Sequence, residues 1–307
     1  MEYFSAGHRL ILGKKLGQGG EGDVYIVENN PLICLKVFFE NKRLQKQKKV
    51  EALIRISPPV GSCFSVCWPL AAVVNEKNEW VGYVMPLIQN TTNLYELTLN
   101  QMNPAVRPTV KQKFARTETQ TLLKVACNLT IAVAKVHETG AVFGDLKPQN
   151  ILVSDTGQIH LLDIDSIQIG SFTNEVRSME YKPKEHTNFN GLLDPSWDRF
   201  SLAVIIYELL CRINPFAASF KEPYEDVTMI QTAIEHELLV NHPATKSHIF
   251  AKHHFHQTFD ELHPTVKSLL MRGCSGNPIE RPSAMEWARS LGRLILEQKK
   301  KIANLNV

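Results

Sequence analysis

Asp145, Lys147 and Asn150 fall within the segment Phe143 to Val153, and the next apolar stretch ends in Asp163-Ile164-Asp165. These side chains, in this order, could carry out transfer of the γ-phosphoryl group of ATP. Asp145 would take or orient the proton of an attacking hydroxyl, Lys147 would neutralise the γ-phosphate, and Asn150 with Asp163 would hold magnesium. Three apolar residues, Ile151, Leu152 and Val153, follow the asparagine, as expected of a strand passing beneath a nucleotide.

Other elements must position that set. From Arg9 to about Met85 the pattern is short strands with one helix. Gly17, Gly19, Gly22 and Val24 have the spacing G-x-G-x-x-G-x-V. Such a hairpin can close its backbone over phosphates, with Val24 pressing on a base. A strand follows it where a dinucleotide-binding unit would have a helix. That strand, Leu32 to Phe38, contains Lys36 among apolar neighbours, where a charge is costly without a partner. Phosphate oxygens would supply one partner, and a carboxylate on the helix expected over Asn41–Ile56 the other. Glu51 is the acid expected there. Trp80 to Ile88 reads as a last strand running into a connector, with Met85 behind a base pocket, the Pro86 carbonyl as acceptor and the Ile88 N–H as donor.

Beyond it, Leu122, Leu123, Val125, Ala126, Leu129, Ala132, Val133 and Val136 form a helical stripe that Gly140 stops. Residues Asp198 to Leu210 are apolar almost all round, which predicts a buried helix. Asp198 at its start is expected to cap it and to accept from N–H groups of the Asp145 loop. The stretch 217–260 is rich in histidine and reads as a solvated insertion rather than a metal site. Arg281 is expected to pair with a buried acid, Glu185, and the tail from Lys299 to fray.

The whole composition narrows the class. A chain of 307 residues, 44% apolar, can bury a large core, as one domain or as two lobes sharing a cleft. A formal charge of +3 gives no argument for nucleic acid, and the basic run Lys42 to Lys49 reads as a solvated helix face. Six scattered cysteines lack paired spacing and suggest reduced thiols in the cytoplasm. Neither a secretory signal nor a membrane span is visible.

With these pieces placed, the chain resembles the eukaryotic-like (Hanks-type) Ser/Thr protein kinases from about Leu10 to Leu294. The resemblance implies an α+β, bilobal fold. A β-rich lobe with one regulatory helix would span 1–88, a larger helical lobe 89–294 and a charged tail 295–307. It also implies ATP with Mg2+ or Mn2+, and a protein Ser or Thr as acceptor. Gly17, Gly19, Gly22, Val24, Cys34, Lys36, Met85, Pro86, Ile88 and Leu152 would line the nucleotide site. Asp145, Lys147, Lys36 and Glu51 would be catalytic, Asn150 and Asp163 metal ligands, and Glu185, Asp198 and Arg281 structural. The Asp163-to-Ser166 form and the run Arg281 to Trp287 look more like the YegI-like and tellurite-resistance-associated branch. That branch implies a metal-dependent protein phosphatase and a von Willebrand A-type protein as partners.

Four positions depart from the family pattern, among them Ile164, which stands in place of a phenylalanine and is still apolar. Phe143 and Gly144 replace His-Arg before Asp145, so activity is expected not to depend on phosphorylation of Ser171, Thr173 or Ser178. Asp165 replaces a glycine, and is expected to hydrogen-bond its loop into one conformation rather than join the metal shell. The alternative to an active kinase is an ATP-binding pseudokinase scaffold.

Overall fold

Short runs of alternating apolar residues fold as strands through the first third of the chain. The computed structural model describes residues 2–98, 119–173, 178–185 and 191–305. Strands β1 (Tyr3–Ser5), β2 (His8–Leu10), β3 (Leu12–Gln18), β4 (Gly22–Val27) and β5 (Ile33–Phe38) precede helix α1 (Glu40–Ile54). β6 (Phe64–Val66), β7 (Ala71–Asn75) and β8 (Trp80–Pro86) follow. Seven of them make an antiparallel sheet in the order β2-β1-β7-β8-β5-β4-β3. One face buries Val27, Leu35, Val73, Val81 and Val84. The other packs Cys34, Phe38, Trp80, Tyr83 and Met85 against Val50 of α1.

β6 joins a different sheet from its sequence neighbours. It pairs in parallel with β11 (Ile159–Leu161), which pairs with β10 (Ile151–Ser154) and through it with β9 (Thr91–Asn93). Phe64, Val66 and Trp68 therefore enter the core of the second lobe, where Leu53 of α1 also ends.

That lobe is helical: α2 (Leu94–Thr98), α3 (Thr119–His137), α4 (Ser196–Cys211), α5 (Ile230–Glu235), α6 (Thr258–Glu261), α7 (Pro264–Gly273) and α8 (Ala284–Leu305). Every residue of α4 except Arg199 is buried, as an element apolar on all sides must be. α3 and α7 both pack on α8, and α4 touches α2, α3 and α7.

Two expectations are corrected here. The stretch 217–260 is not a solvated insertion: its strands β12 (Ala218–Phe220) and β13 (Ile249–Lys252) pair, and Ala233, Ile234, Leu238 and Leu239 join the core. His256 is fully buried, its Nδ1 on the Tyr207 hydroxyl at 2.8 Å and its Nε2 on the Ala217 carbonyl at 2.9 Å. The carbonyl only accepts, so Nε2 carries the proton and Nδ1 accepts from Tyr207. The tail expected to fray is helical as far as Leu305. The six cysteines are free, and among the described residues no helix is long and apolar enough to cross a membrane.

Candidate active site

Asp198 organises the loop that carries Asp145. Its Oδ2 accepts from the Phe143 N–H at 2.7 Å and its Oδ1 from the Gly144 N–H at 2.8 Å, while His137 Nε2 lies 2.8 Å from Oδ2. It does not cap α4, whose N-cap residue is Pro195 and has no side-chain hydrogen bond to the helix. Gly144 has φ +67°, a conformation that strains any side chain with a Cβ, so an arginine would be disfavoured there. Asp145 is buried. One of its oxygens accepts from Lys147 Nζ at 2.6 Å and the other from the Ser178 N–H. Lys147 also donates to Ser178 Oγ at 2.9 Å, so Ser178 is held against both groups.

The β10–β11 hairpin brings the metal candidates together. Ile151 pairs with Leu161, and the Leu162 N–H donates to the Asn150 carbonyl at 2.9 Å. Asn150 and Asp163 therefore leave the same end of the hairpin. Asp163 has φ +58°, a left-handed conformation that aspartate tolerates better than most residues, and Ser166 Oγ donates to its carbonyl at 2.7 Å.

Lys36 does not meet Glu51. Its Nζ donates to both oxygens of Asp165 at 2.7 Å and to Asp163 at 3.4 Å. Asp165 is fully buried and also accepts from the Tyr83 hydroxyl at 2.5 Å. Glu51 instead accepts from Gln47 on its own helix at 2.9 Å. The cause is the rotation of α1, which buries Lys46, Lys49, Val50 and Leu53 and leaves Glu51 off that stripe. The basic run is thus not a solvated face. Lys46 pairs with Glu21 of the Gly-rich hairpin at 2.7 Å, and Lys49 donates to the Ser166 and Thr173 carbonyls at 2.9 and 3.2 Å.

The electrostatics follow. Burial pushes the Lys36 ammonium down, but Asp165 first and Asp163 second outweigh it and raise it to about 12. Burial pushes the Asp165 carboxyl up, and contact with Lys36 brings it below its usual range. Burial, with Asp165 beside it, raises the Tyr83 phenol, which stays a donor. Lys49 meets no carboxylate among the described residues; burial and then Lys46 lower it to about 8.

All of this opens onto a cleft of about 680 Å³ between the lobes. Gly17, Gly19, Gly22, Val24, Cys34, Lys36, Met85, Pro86, Ile88 and Leu152 line it, together with Lys147, Asn150, Asp163 and Asp165. A Cβ on Gly22 would lie 2.3 Å from the Val37 carbonyl, so glycine is required by the packing of β4 on β5. Gly17 has open space around its missing Cβ, and Gly19 nearly so, which leaves room over the cleft for a phosphate chain. At the other end the Leu87 N–H is taken by the Leu32 carbonyl, whereas the Ile88 N–H has no acceptor among the described residues. Away from the cleft, Arg281 is buried and donates from Nη1 and Nη2 to Glu185 at 2.5 and 3.0 Å.

A family model described as the protein kinase domain matches residues 10–290 of this sequence. The chain belongs to the protein kinase family. Among curated proteins this kinase is similar to protein kinase YegI of Escherichia coli K12, 27% identical over 240 residues, 75% of this chain and 35% of that protein. The probable serine/threonine-protein kinase CPE1738 of Clostridium perfringens is 25% identical over 227 residues, 68% of this chain and 30% of that one. The serine/threonine-protein kinase PknL of Mycobacterium tuberculosis H37Rv is 34% identical over a shorter stretch of 90 residues, 27% of this chain and 22% of that protein. The match spans about a third of YegI or less of each of these relatives. The kinase is thereby of the bacterial Hanks type, with the expected β-rich first lobe and helical second lobe.

Several residues of this kinase site escaped sequence reasoning. Tyr83 reads as core in an apolar strand, yet it stands directly opposite Lys36 in the β5–β8 register. Ser178 and His137 carried no local signal. Asp165 was visible, but its partner was not.

Proposed function

We propose that this chain transfers the γ-phosphoryl group of Mg-ATP to a serine or threonine hydroxyl of a protein. One observation carries the reading: Lys36, Lys147, Asn150 and Asp163 line a single cleft beneath the Gly-rich hairpin, with Asp145 bonded to Lys147. The acceptor hydroxyl attacks phosphorus, a new O–P bond forms and the bond to the β-phosphate oxygen breaks. Asp145 orients the hydroxyl and receives its proton. Lys147 stabilises charge on the transferring group, and Lys36 holds the phosphates further back.

The oxygen donors Asn150 and Asp163 suit magnesium, which takes few protein ligands and completes its shell with phosphate oxygens and water. Bound there, the ion would neutralise charge on the β- and γ-phosphates. Asp165 is excluded from that shell by its own contacts with Lys36 and Tyr83. The Ile88 N–H and the Pro86 carbonyl would serve the adenine edge, and Cys34, Met85, Val24 and Leu152, which line the same cleft, would enclose its faces.

No arginine precedes Asp145 to read a phosphorylated loop, so activity does not wait on modification of Ser171, Thr173 or Ser178. The chain works in the cytoplasm, beside a metal-dependent protein phosphatase and a von Willebrand A-type protein; the support for these partners is the resemblance to the YegI-like branch.

The test is incorporation of label from γ-labelled ATP by the wild type and by Asp145→Ala, followed by phosphoamino acid analysis. Phosphoserine or phosphothreonine in the wild type, reduced at least about 100-fold in the variant, is expected. Equal labelling of the two proteins would sink the assignment of Asp145.

A further inference from the structure

Lys36 needs a fixed counter-charge, and the helix that was expected to supply it brings lysines instead. Lys46 and Lys49 occupy the buried face of α1 beside the Lys36 cluster, and no α1 carboxylate touches Lys36 among the described residues. The acid has moved to position 165, two residues beyond the metal-binding candidate Asp163. Three cations, Lys36, Lys46 and Lys49, are balanced there by three carboxylates, Glu21, Asp163 and Asp165. A second acid turned inward from α1 would face Asp163 and Asp165 and be repelled, so a helix acid and Asp165 exclude each other. The two departures, a glycine lost at 165 and an acid absent from the α1 stripe, compensate one another.

We propose that Asp165 is the positioning residue for Lys36, holding the phosphate-binding ammonium from within the metal-binding segment rather than from α1. Both Asp165 oxygens lie 2.7 Å from Lys36 Nζ, the carboxylate is wholly buried, and the Tyr83 hydroxyl fixes its orientation. Asp163, by contrast, is partly exposed to the cleft and 3.4 Å from Lys36, free to turn to a metal while Asp165 stays. Among the described residues Lys49 joins α1 to the same segment by donating to two backbone carbonyls, those of Ser166 and Thr173. A shift of α1 therefore breaks no ion pair of Lys36, and the orientation of Lys36 is not gated by that helix. This inference rests on the kinase reading above.

The experiment compares wild type, Asp165→Asn and Glu51→Gln in steady-state phosphoryl transfer, with thermal melting to confirm folding. Asn keeps the shape and the Tyr83 contact but removes the charge. The expected result is a kcat lowered about 100-fold in Asp165→Asn, with KM for ATP changed less than about threefold. Glu51→Gln should match the wild type. An unaffected Asp165→Asn, or a Glu51→Gln loss as large as that of Asp165→Asn, would overturn the proposal.

A second measurement does not depend on turnover or on a variant that folds: a crystal structure of the wild type with magnesium and a non-hydrolysable ATP analogue. Lys36 should remain within about 3 Å of Asp165. Lys36 on Glu51, with Asp165 on the metal, would refute the assignment. A wild type that binds the analogue with Lys36 on Asp165 yet transfers no phosphate would count against the kinase reading alone.

Discussion

Lys36 lies in a run of apolar neighbours, and removing it from water is offset only by groups that hold it on several sides. Asp165 supplies two contacts and Asp163 a third, while Tyr83 secures Asp165 in turn. The phenol is the neutral side-chain donor to Asp165 among the described residues, so its removal should expose how far the carboxylate relies on it. Tyr83→Phe leaves the packing against Phe38 in place and deletes a hydrogen bond to a buried charge. Denaturant unfolding is expected to show a loss of about 1.5–3 kcal/mol. A loss below about 0.5 kcal/mol would mean that Asp165 is held by Lys36 alone. At this scale the sequence was informative where chemistry demands a rare residue in a set spacing: Lys36, Asp145, Asn150 and Asp163 stood out as candidates without coordinates, and Lys36, Asn150 and Asp163 line one cleft. It was uninformative for Tyr83, because a tyrosine in an apolar strand has the same pattern whether its hydroxyl reaches solvent or a carboxylate.

Elements decide which of several candidate side chains reaches the site. Glu51 was selected on the expectation that α1 must present an acid, yet the helical spacing of Lys46, Lys49, Val50 and Leu53 defines a stripe that omits it. That stripe was readable in the sequence; the presence of two lysines on it made the face look solvated. The buried helix α4 was legible for the opposite reason, being apolar on every side. Its Asp198 and the later Arg281 act by fixing loops rather than by chemistry. Arg281 is enclosed by Glu185, the Ser196 and Ser275 carbonyls and the Phe200 ring. Arg281→Ala would leave Glu185 without its cation and should cost about 3–5 kcal/mol in chemical unfolding. A cost under about 1 kcal/mol, typical of a surface pair, would show that the bridge contributes no more than an exposed one.

At the scale of the whole molecule, the core of the helical lobe also takes in part of the stretch 217–260, Ala233, Ile234, Leu238 and Leu239 among it. Reading that stretch as a solvated insertion failed because histidine is polar in composition yet can be fully satisfied inside. His256 is held neutral between Tyr207 and Ala217, and burial lowers it to about 4 from 6.5, with Lys252 and His253 adding to the effect. The unfolded chain therefore takes up a proton near pH 6.5 that the native state refuses until about pH 4. Stability from this residue is present above pH 6.5 and is lost as the pH falls towards 4. Glu208, pushed up to about 7 by burial, works in the opposite sense and loses its contribution as the pH rises from 4.5 to 7. Comparing wild type with His256→Asn cancels the Glu208 effect, which both proteins share. The gap between their unfolding free energies should shrink by on the order of 3 kcal/mol between pH 6.5 and pH 4. A gap constant with pH would mean that His256 is protonated in the native state.

The measurement closest to the central claim takes purified wild type and Asp163→Ala, offers γ-labelled ATP with magnesium and then manganese, and follows melting temperature in the same samples. Label on protein in the wild type, with loss of transfer of about 100-fold or more in Asp163→Ala, is the predicted result. A nucleotide-dependent rise in melting temperature without label in either protein would contradict it, and would leave a nucleotide-binding scaffold in place of an enzyme.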